Sequence, residues 1–358
     1  MIKTVSTAGF ALFSMFFGSG NLVFPFMLGR DALSSFPYVV IGLIITAVLV
    51  PILGFLGILL ADGSYEKYFR HLGKTGTFII TLLMLSLMGP LGVIPRSIGL
   101  SYGGMHVIYP HLDLWVFSLI FCIFLTLLAW HPNKVVAIIG NVLTPFKLGG
   151  ILLIILAGLQ FAPPLTHSST TPFENVLNGI TTGYQTMDLL ASFFFAASTI
   201  EFIRQQIKNK KDVIKASIYA GIIGSVLLVL VYSGFVMLAA SYGPQIQGIP
   251  SECLLAEISG LILGHFSMYI VSFTIAISCL ATSTILTKLF VEFLSKEILK
   301  NKVSYHASLV ITLIISFFGS LLGFRSIVTW IAVILTWLYP FLIIYALFKI
   351  YEGLKTQS

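Results

Sequence analysis

The chain is a succession of apolar runs, each close to the length needed to cross a hydrocarbon layer, about 20 residues. They fall at approximately 4–29, 37–61, 77–101, 113–131, 137–160, 178–203, 214–240, 265–294, 304–323 and 326–350. Only 9% of the 358 residues are charged, against about 25% in soluble domains. A water-facing surface could not be covered with so few. The expected fold class is an all-α membrane protein of ten transmembrane helices, forming a single transporter domain over 1–358. Lys3 followed by an apolar stretch superficially resembles a signal peptide, but no small-residue cleavage site follows. The stretch is therefore read as a retained first span.

The basic residues test this division independently. Lys3, Lys67, Arg70, Lys74, Lys134, Arg204, Lys208, Lys210, Lys211, Lys215, Lys296, Lys300, Lys302, Lys349 and Lys355 all fall on one side if the ten spans alternate. The loops of the other side hold only Arg30 and Arg325. Short loops rich in Lys and Arg stay in the cytoplasm. Both termini are thus expected there, in a multi-pass protein of the inner (plasma) membrane with lipid around it. The net charge of +7 is then a topology signal, and no nucleic-acid partner is implied. Two external segments are long: 161–177, a surface loop by its prolines, and 241–264, a partly helical lid. Spans 9 and 10 are expected to form a hairpin through a tight turn at Gly323. Oligomeric state is not legible.

Two spans are poor material for a lipid-facing helix. Span 1 carries Gly18-Ser19-Gly20-Asn21 at mid-depth, ahead of Pro25. Unpaired backbone groups in hydrocarbon cost roughly 2–7 kcal/mol each, so a break there must be buried in protein or line a wet cavity. The amides that start a half-helix can bind an anion such as a carboxylate, and the carbonyls that end one can bind a cation. The same glycines would also serve a close helix contact. Span 6 reads Asn178–Asp188, with Tyr184, Thr186 and the intramembrane carboxylate of Asp188. Such a carboxylate points to function or to a structural hydrogen-bond anchor. In two halves of five, approximately 4–160 and 178–350, spans 1 and 6 occupy corresponding positions. Paired interruptions of that kind mark transporter binding sites.

Other features are less specific. Span 8 holds Ser278, Thr282, Ser283 and Thr284, whose hydroxyls could ligate a hard cation or bond back to their own helix. Arg96 in span 3 faces a cavity, pairs with an acid such as Asp188, or snorkels. Pro90 and Pro95 are expected to kink span 3, His106, His111 and His131 lie near span ends, and Lys147 snorkels. Cys122, Cys253 and Cys279 fit no metal or redox spacing. A channel would need a repeated carbonyl filter or a ring of like pore residues, and an enzyme a nucleophile with its base or an HExxH-type metal motif. The sequence has neither.

At these residues the chain resembles the branched-chain amino acid carrier family, the sodium-coupled leucine/isoleucine/valine symporters. The matching stretches are Gly9–Gly29, Gly89–Arg96, Gly140–Lys147, Asn178–Asp188, Cys279–Phe293 and Tyr339-Pro340, in order along nearly the whole chain. The resemblance implies the five-plus-five inverted-repeat fold of sodium-coupled amino acid transporters. It implies that the Gly18, Ser19, Gly20 and Asn21 break holds the substrate carboxylate, with Tyr184, Thr186 and Asp188 lining the substrate from span 6. It suggests a Na+ site made by carbonyls of Ser14 and Phe17, by Asn21, and by hydroxyls of Thr282 and Ser283. Family members usually have about twelve spans, whereas the inverted-repeat core needs only the ten found here. The expected activity is sodium-coupled symport of a branched-chain amino acid by alternating access. The alternative is a proton-coupled carrier of a small apolar amino acid, with Asp188 titrating. The topology has a direct check: Ser169→Cys should react with an impermeant maleimide on intact cells, and Asn209→Cys only after permeabilisation. The reverse labelling would invert the orientation.

Overall fold

A computed structural model describes residues 2–130 and 144–355. The readings of His131 and Lys134, the start of the fifth span, the Lys147 side chain and the Gly140–Leu143 part of the family match lie outside the described residues. Among the described residues the regular structure is entirely helical.

The first apolar run is two helices, α1 (Ile2–Phe16) and α2 (Ser19–Ala32), separated at Phe17-Gly18. The second is α3 (Phe36–Ile44) and α4 (Val50–Leu60), joined through a single π-helical stretch at Ile45–Leu49. α5 (Gly73–Met88) and α6 (Val93–Ile108) make the third, interrupted by Gly89-Pro90 rather than merely kinked. The Gly89 amide still reaches Leu85 O at 2.8 Å, but Pro90 has no N–H to continue the ladder. Then come α7 (Leu114–Ala129), α8 (Thr144–Gln160), α9 (Pro172–Tyr184), α10 (Asp188–Gln206) and α11 (Lys210–Ser241). The chain ends with α12 (Leu254–Leu263), α13 (His265–Phe293), α14 (Tyr305–Ser320) and α15 (Phe324–Lys355). α12 is the helical part expected of the long 241–264 segment. Gly323, at φ +79°, makes the tight turn between α14 and α15.

Among the described residues, five helical stretches are long and apolar enough to cross a membrane by length and composition. The α9–α10 pair, bent by 46°, makes a sixth. The remaining expected crossings correspond to shorter apolar helices, α1, α7, α8 and α14.

The packing explains how the broken elements are held. α1 and α2 lie against α11, while α9 and α10 lie against α3 and α4. α6 and α13 face one another, α7 touches α13, and α14 touches α6. Exchanging spans 1 with 6, 2 with 7, 3 with 8 and 4 with 9 leaves this set of contacts unchanged, as an inverted repeat requires. Small residues permit the closest approach. A Cβ on Gly42 of α3 would lie 2.1 Å from Val176 O, and one on Gly179 of α9 would lie 2.3 Å from Val39 O. Apolar burial drives no association between helices surrounded by lipid tails, so this contact is stabilised by van der Waals packing at short range. Gly42→Ala should therefore cost about 1–3 kcal/mol of overpacking strain and lower the thermal midpoint in detergent. Gly149→Ala, with nothing within 4 Å of its Cβ position, should not. Equal midpoints for the two variants would remove this account of the crossing.

Candidate functional site

The break in the first span is built by its own asparagine. α1 stops at Phe16, and the Gly18 amide donates to Phe16 O at 2.8 Å. The same amide donates to Asn21 Oδ1 at 3.0 Å. Asn21 thus satisfies a backbone donor at the start of α2, where helix geometry leaves amides without partners. That contact turns the other end of the Asn21 side chain, Nδ2, away from its own helix.

The break in the sixth span needs a different device. α9 closes with Gln185 N donating to Thr182 O (3.0 Å), Thr186 N to Gly183 O (3.3 Å) and Met187 N to Tyr184 O (3.1 Å). Met187 then takes a left-handed conformation, φ 64° and ψ 18°, which is uncommon for a residue with a long side chain. It redirects the chain, and α10 begins at Asp188. Thr186 Oγ1 donates to Gly183 O at 2.9 Å and accepts from Asp188 N at 3.5 Å, spanning the break.

The two breaks meet. Asn21 Nδ2 donates to Asp188 Oδ1 at 3.1 Å and Oδ2 at 2.9 Å. From α11, Tyr232 donates its hydroxyl hydrogen to Asp188 Oδ2 at 2.8 Å and also touches Asn21 Nδ2. All three side chains are buried. The carboxylate sits at the N-terminus of α10, where the helix dipole favours negative charge. Opposite it lies Arg96 of α6, the largest fully buried side chain described. Its Nη1 donates to Gln185 O at 2.7 Å and its Nε to Ser19 Oγ at 3.4 Å. The guanidinium carbon lies 5.3 Å from the Phe24 ring centroid, within cation–π range. No direct ion pair joins Arg96 to Asp188, so of the three readings of Arg96 the structure selects the one in which it faces a cavity. That cavity is lined by Gly18, Ser19, Gly20, Asn21, Arg96, Thr186, Asp188 and Thr282 on its polar side. Its apolar wall comprises Met15, Phe16, Met88, Val93, Phe195 and Leu286.

A buried site between two broken helices is an arrangement for holding a polar solute in a membrane. Across residues 1–357 the chain matches the model of the branched-chain amino acid transport protein family. The chain belongs to that family. Its members are transporters and not enzymes. A protein of Staphylococcus haemolyticus named as a branched-chain amino acid carrier is 28% identical, over 95% of this chain and 80% of the relative. A similarly named protein of Staphylococcus aureus strain USA300 is 27% identical over the same shares. Among solved structures, the manganese transporter of Eremococcus coleocola superposes at TM-score 0.64 with 14% identity, over 89% of this chain and 70% of its own. MhsT in complex with L-phenylalanine gives 0.58 with 16% identity, over 90% and 79%. This likeness shows the fold, that of LeuT-type transporters, with the interrupted spans 1 and 6.

In this family member the residues singled out from the sequence fall into two groups. Gly18, Ser19, Gly20, Asn21, Thr186, Asp188 and Thr282 line one cavity. Thr282 abuts the first break: its methyl would lie 3.2 Å from a Cβ on Gly18, and its hydroxyl bonds back to Ser278 O at 3.2 Å. Tyr184 stands apart, packed against Tyr339 with ring centroids 4.6 Å apart and planes tilted by 33°. Ser283 is fully buried, and its hydroxyl has no hydrogen-bond partner among the described residues. Phe17 is buried in the break and stacked on Phe13, while Ser14 sits in the last turn of α1. Sequence reasoning missed Tyr232, a single aromatic hydroxyl at the end of the aliphatic run Val226–Val231, and the role of the Gln185 carbonyl. The Tyr232 ring is held by packing, so Tyr232→Phe removes only a donor to a buried carboxylate. That should cost about 1–3 kcal/mol and lower the thermal midpoint, whereas the largely exposed Tyr219→Phe should be neutral. An unchanged midpoint for Tyr232→Phe would show that the hydroxyl does not support Asp188.

Proposed function

We propose that this chain is a symporter importing leucine, isoleucine or valine by alternating access, coupled to Na+. The observation that carries this reading is the meeting of both helix breaks over one buried cavity with a polar side and an apolar wall. The break at Gly18 to Asn21 would take the substrate carboxylate on the amides of Ser19, Gly20 and Asn21, because the Gly18 amide is already held by Phe16 O and Asn21 Oδ1. Thr186 and Asp188 would contact its polar end from span 6, with Tyr184 closing behind them. The wall of Met15, Phe16, Met88, Val93, Phe195 and Leu286 suits a branched aliphatic side chain, which needs area and no partner.

Alternating access is supported by the cavity's size. It holds about 20 Å³, room for roughly one water, whereas ligand sites run to about 300–1,000 Å³. The half-helices must therefore part to admit an amino acid, and the breaks are the natural hinges. For Na+, the closeness of Thr282 to Gly18 supports a site between spans 1 and 8. Carbonyls of Ser14 and Phe17, the Asn21 side chain, and the hydroxyls of Thr282 and Ser283 are the proposed oxygen ligands, a donor set that suits a hard cation. Sodium there would fix the same break that receives the carboxylate, which is how the two solutes become coupled. Ten crossings in one domain, both termini in the cytoplasm and lodging in the plasma membrane complete the proposal.

Radiolabelled leucine uptake into proteoliposomes tests it. An inward Na+ gradient should drive accumulation, and Thr282→Ala should raise the half-saturating Na+ concentration about tenfold, equivalent to ~1.4 kcal/mol. Uptake indifferent to Na+, driven by a pH gradient and abolished by Asp188→Asn, would instead establish proton coupling.

A further inference from the structure

Arg96 and Asp188 are the two formal charges facing the cavity, and they are opposite in sign. Both are about 1% exposed, and among the described residues neither has an ion-pair partner. Burying a charge without a direct counter-ion is costly unless its hydrogen-bonding capacity is met. For each of them it is met only in part. Arg96 uses Nη1 on Gln185 O and Nε, at a long 3.4 Å, on Ser19 Oγ. Its Nη2 amino group makes no hydrogen bond among the described residues. Asp188 Oδ2 accepts from both Asn21 and Tyr232, whereas Oδ1 accepts from Asn21 at 3.1 Å, with the Thr186 hydroxyl close to the same carboxyl. A carboxylate has roughly four acceptor positions, so Oδ1 retains capacity.

The unused groups sit where a ligand's charges would complement them. Arg96 Nη2 lies beside the start of α2: a Cβ on Gly20 would come within 3.0 Å of it, so the glycine keeps that approach open. The planar guanidinium presents its donors in a fork that matches a carboxylate. Asp188 lines the same cavity from the start of α10.

We propose that Arg96 and Asp188 form a zwitterion clamp, in which the Arg96 fork and the first amides of α2 hold the substrate's α-carboxylate while Asp188 holds its α-ammonium. This rests on the transport reading above and adds to it the residue that supplies the positive charge. It makes the site selective for molecules that carry both charges at α-amino-acid spacing, with the aliphatic wall sorting among them. Substrate binding replaces the long Ser19 contact of Arg96 with a charged partner, and it gives Asp188 the cation it lacks. Arg96 is thus a binding residue, beyond its evident job of tying α6 to both breaks.

Binding titrations on the full chain in detergent, at saturating Na+, separate the two roles. The probes are leucine, leucinamide (no carboxylate) and 4-methylpentanoate (no amine). The wild type should prefer leucine to either analogue by at least about tenfold, the scale of one charged hydrogen bond. Arg96→Gln should weaken leucine about 10- to 100-fold and change leucinamide less than about threefold, collapsing that preference. Asp188→Asn should do the same for the preference over 4-methylpentanoate. Gly20→Ala keeps the charge but crowds Nη2, and it should reproduce the carboxylate-selective loss if Arg96→Gln does not fold. The clamp is overturned if leucine and leucinamide weaken by the same factor in Arg96→Gln or Gly20→Ala, as a purely structural arginine would dictate, or if leucine binding is unaffected. A wild type that binds no leucine at any Na+ concentration overturns the transport reading itself, whereas the other outcomes strike the clamp alone.

Discussion

Asn21 and Asp188 hold this structure together at its weakest point. A helix broken in mid-membrane leaves amides and carbonyls that hydrocarbon cannot satisfy. Each break here is partly closed by its own side chain, Asn21 Oδ1 on Gly18 N and Thr186 Oγ1 on Gly183 O. The remaining functional ends then meet, with Asn21 Nδ2 on both oxygens of Asp188. Neither break would be stable facing lipid, and each makes the other tolerable. The interaction that permits the breaks therefore also places both of them on one cavity.

The surrounding helices keep that meeting point buried. Span 1 leans on span 7 and span 6 on span 2, while Arg96 from span 3 bonds to both breaks. Tyr232 brings span 7 into the same network. Glycines such as Gly42 and Gly179 bring the backbones of spans 2 and 6 into close contact.

Part of the site was legible residue by residue. Gly18, Ser19, Gly20 and Asn21 stood out because they are the wrong material for a lipid-facing helix. Asp188 stood out because a carboxylate inside a span is expensive. Tyr232 gave no signal, since a tyrosine in an aliphatic run reads as ordinary packing until its hydroxyl is seen on a carboxylate. Tyr184 shows the converse: it lies in the right stretch, but the direction of its ring depends on Tyr339, 155 residues further on. In span 8 the sequence offers several adjacent hydroxyls, and helix rotation alone decides that Thr282 borders the break.

Hydropathy and the placement of lysine and arginine determined the class, the approximate spans and the orientation expected of them, because lipid imposes one-dimensional rules on a chain. Glycine, asparagine and proline, which act locally, marked the first span as interrupted and the sixth as unusually polar, but suggested only a kink where the third is broken at Gly89-Pro90. Only the tertiary structure decided what the breaks do. It brought Asn21 to Asp188 across 167 positions of sequence, and set Arg96 opposite Asp188 without pairing them. Those choices depend on helix rotation and crossing, which are fixed by packing between segments far apart in sequence.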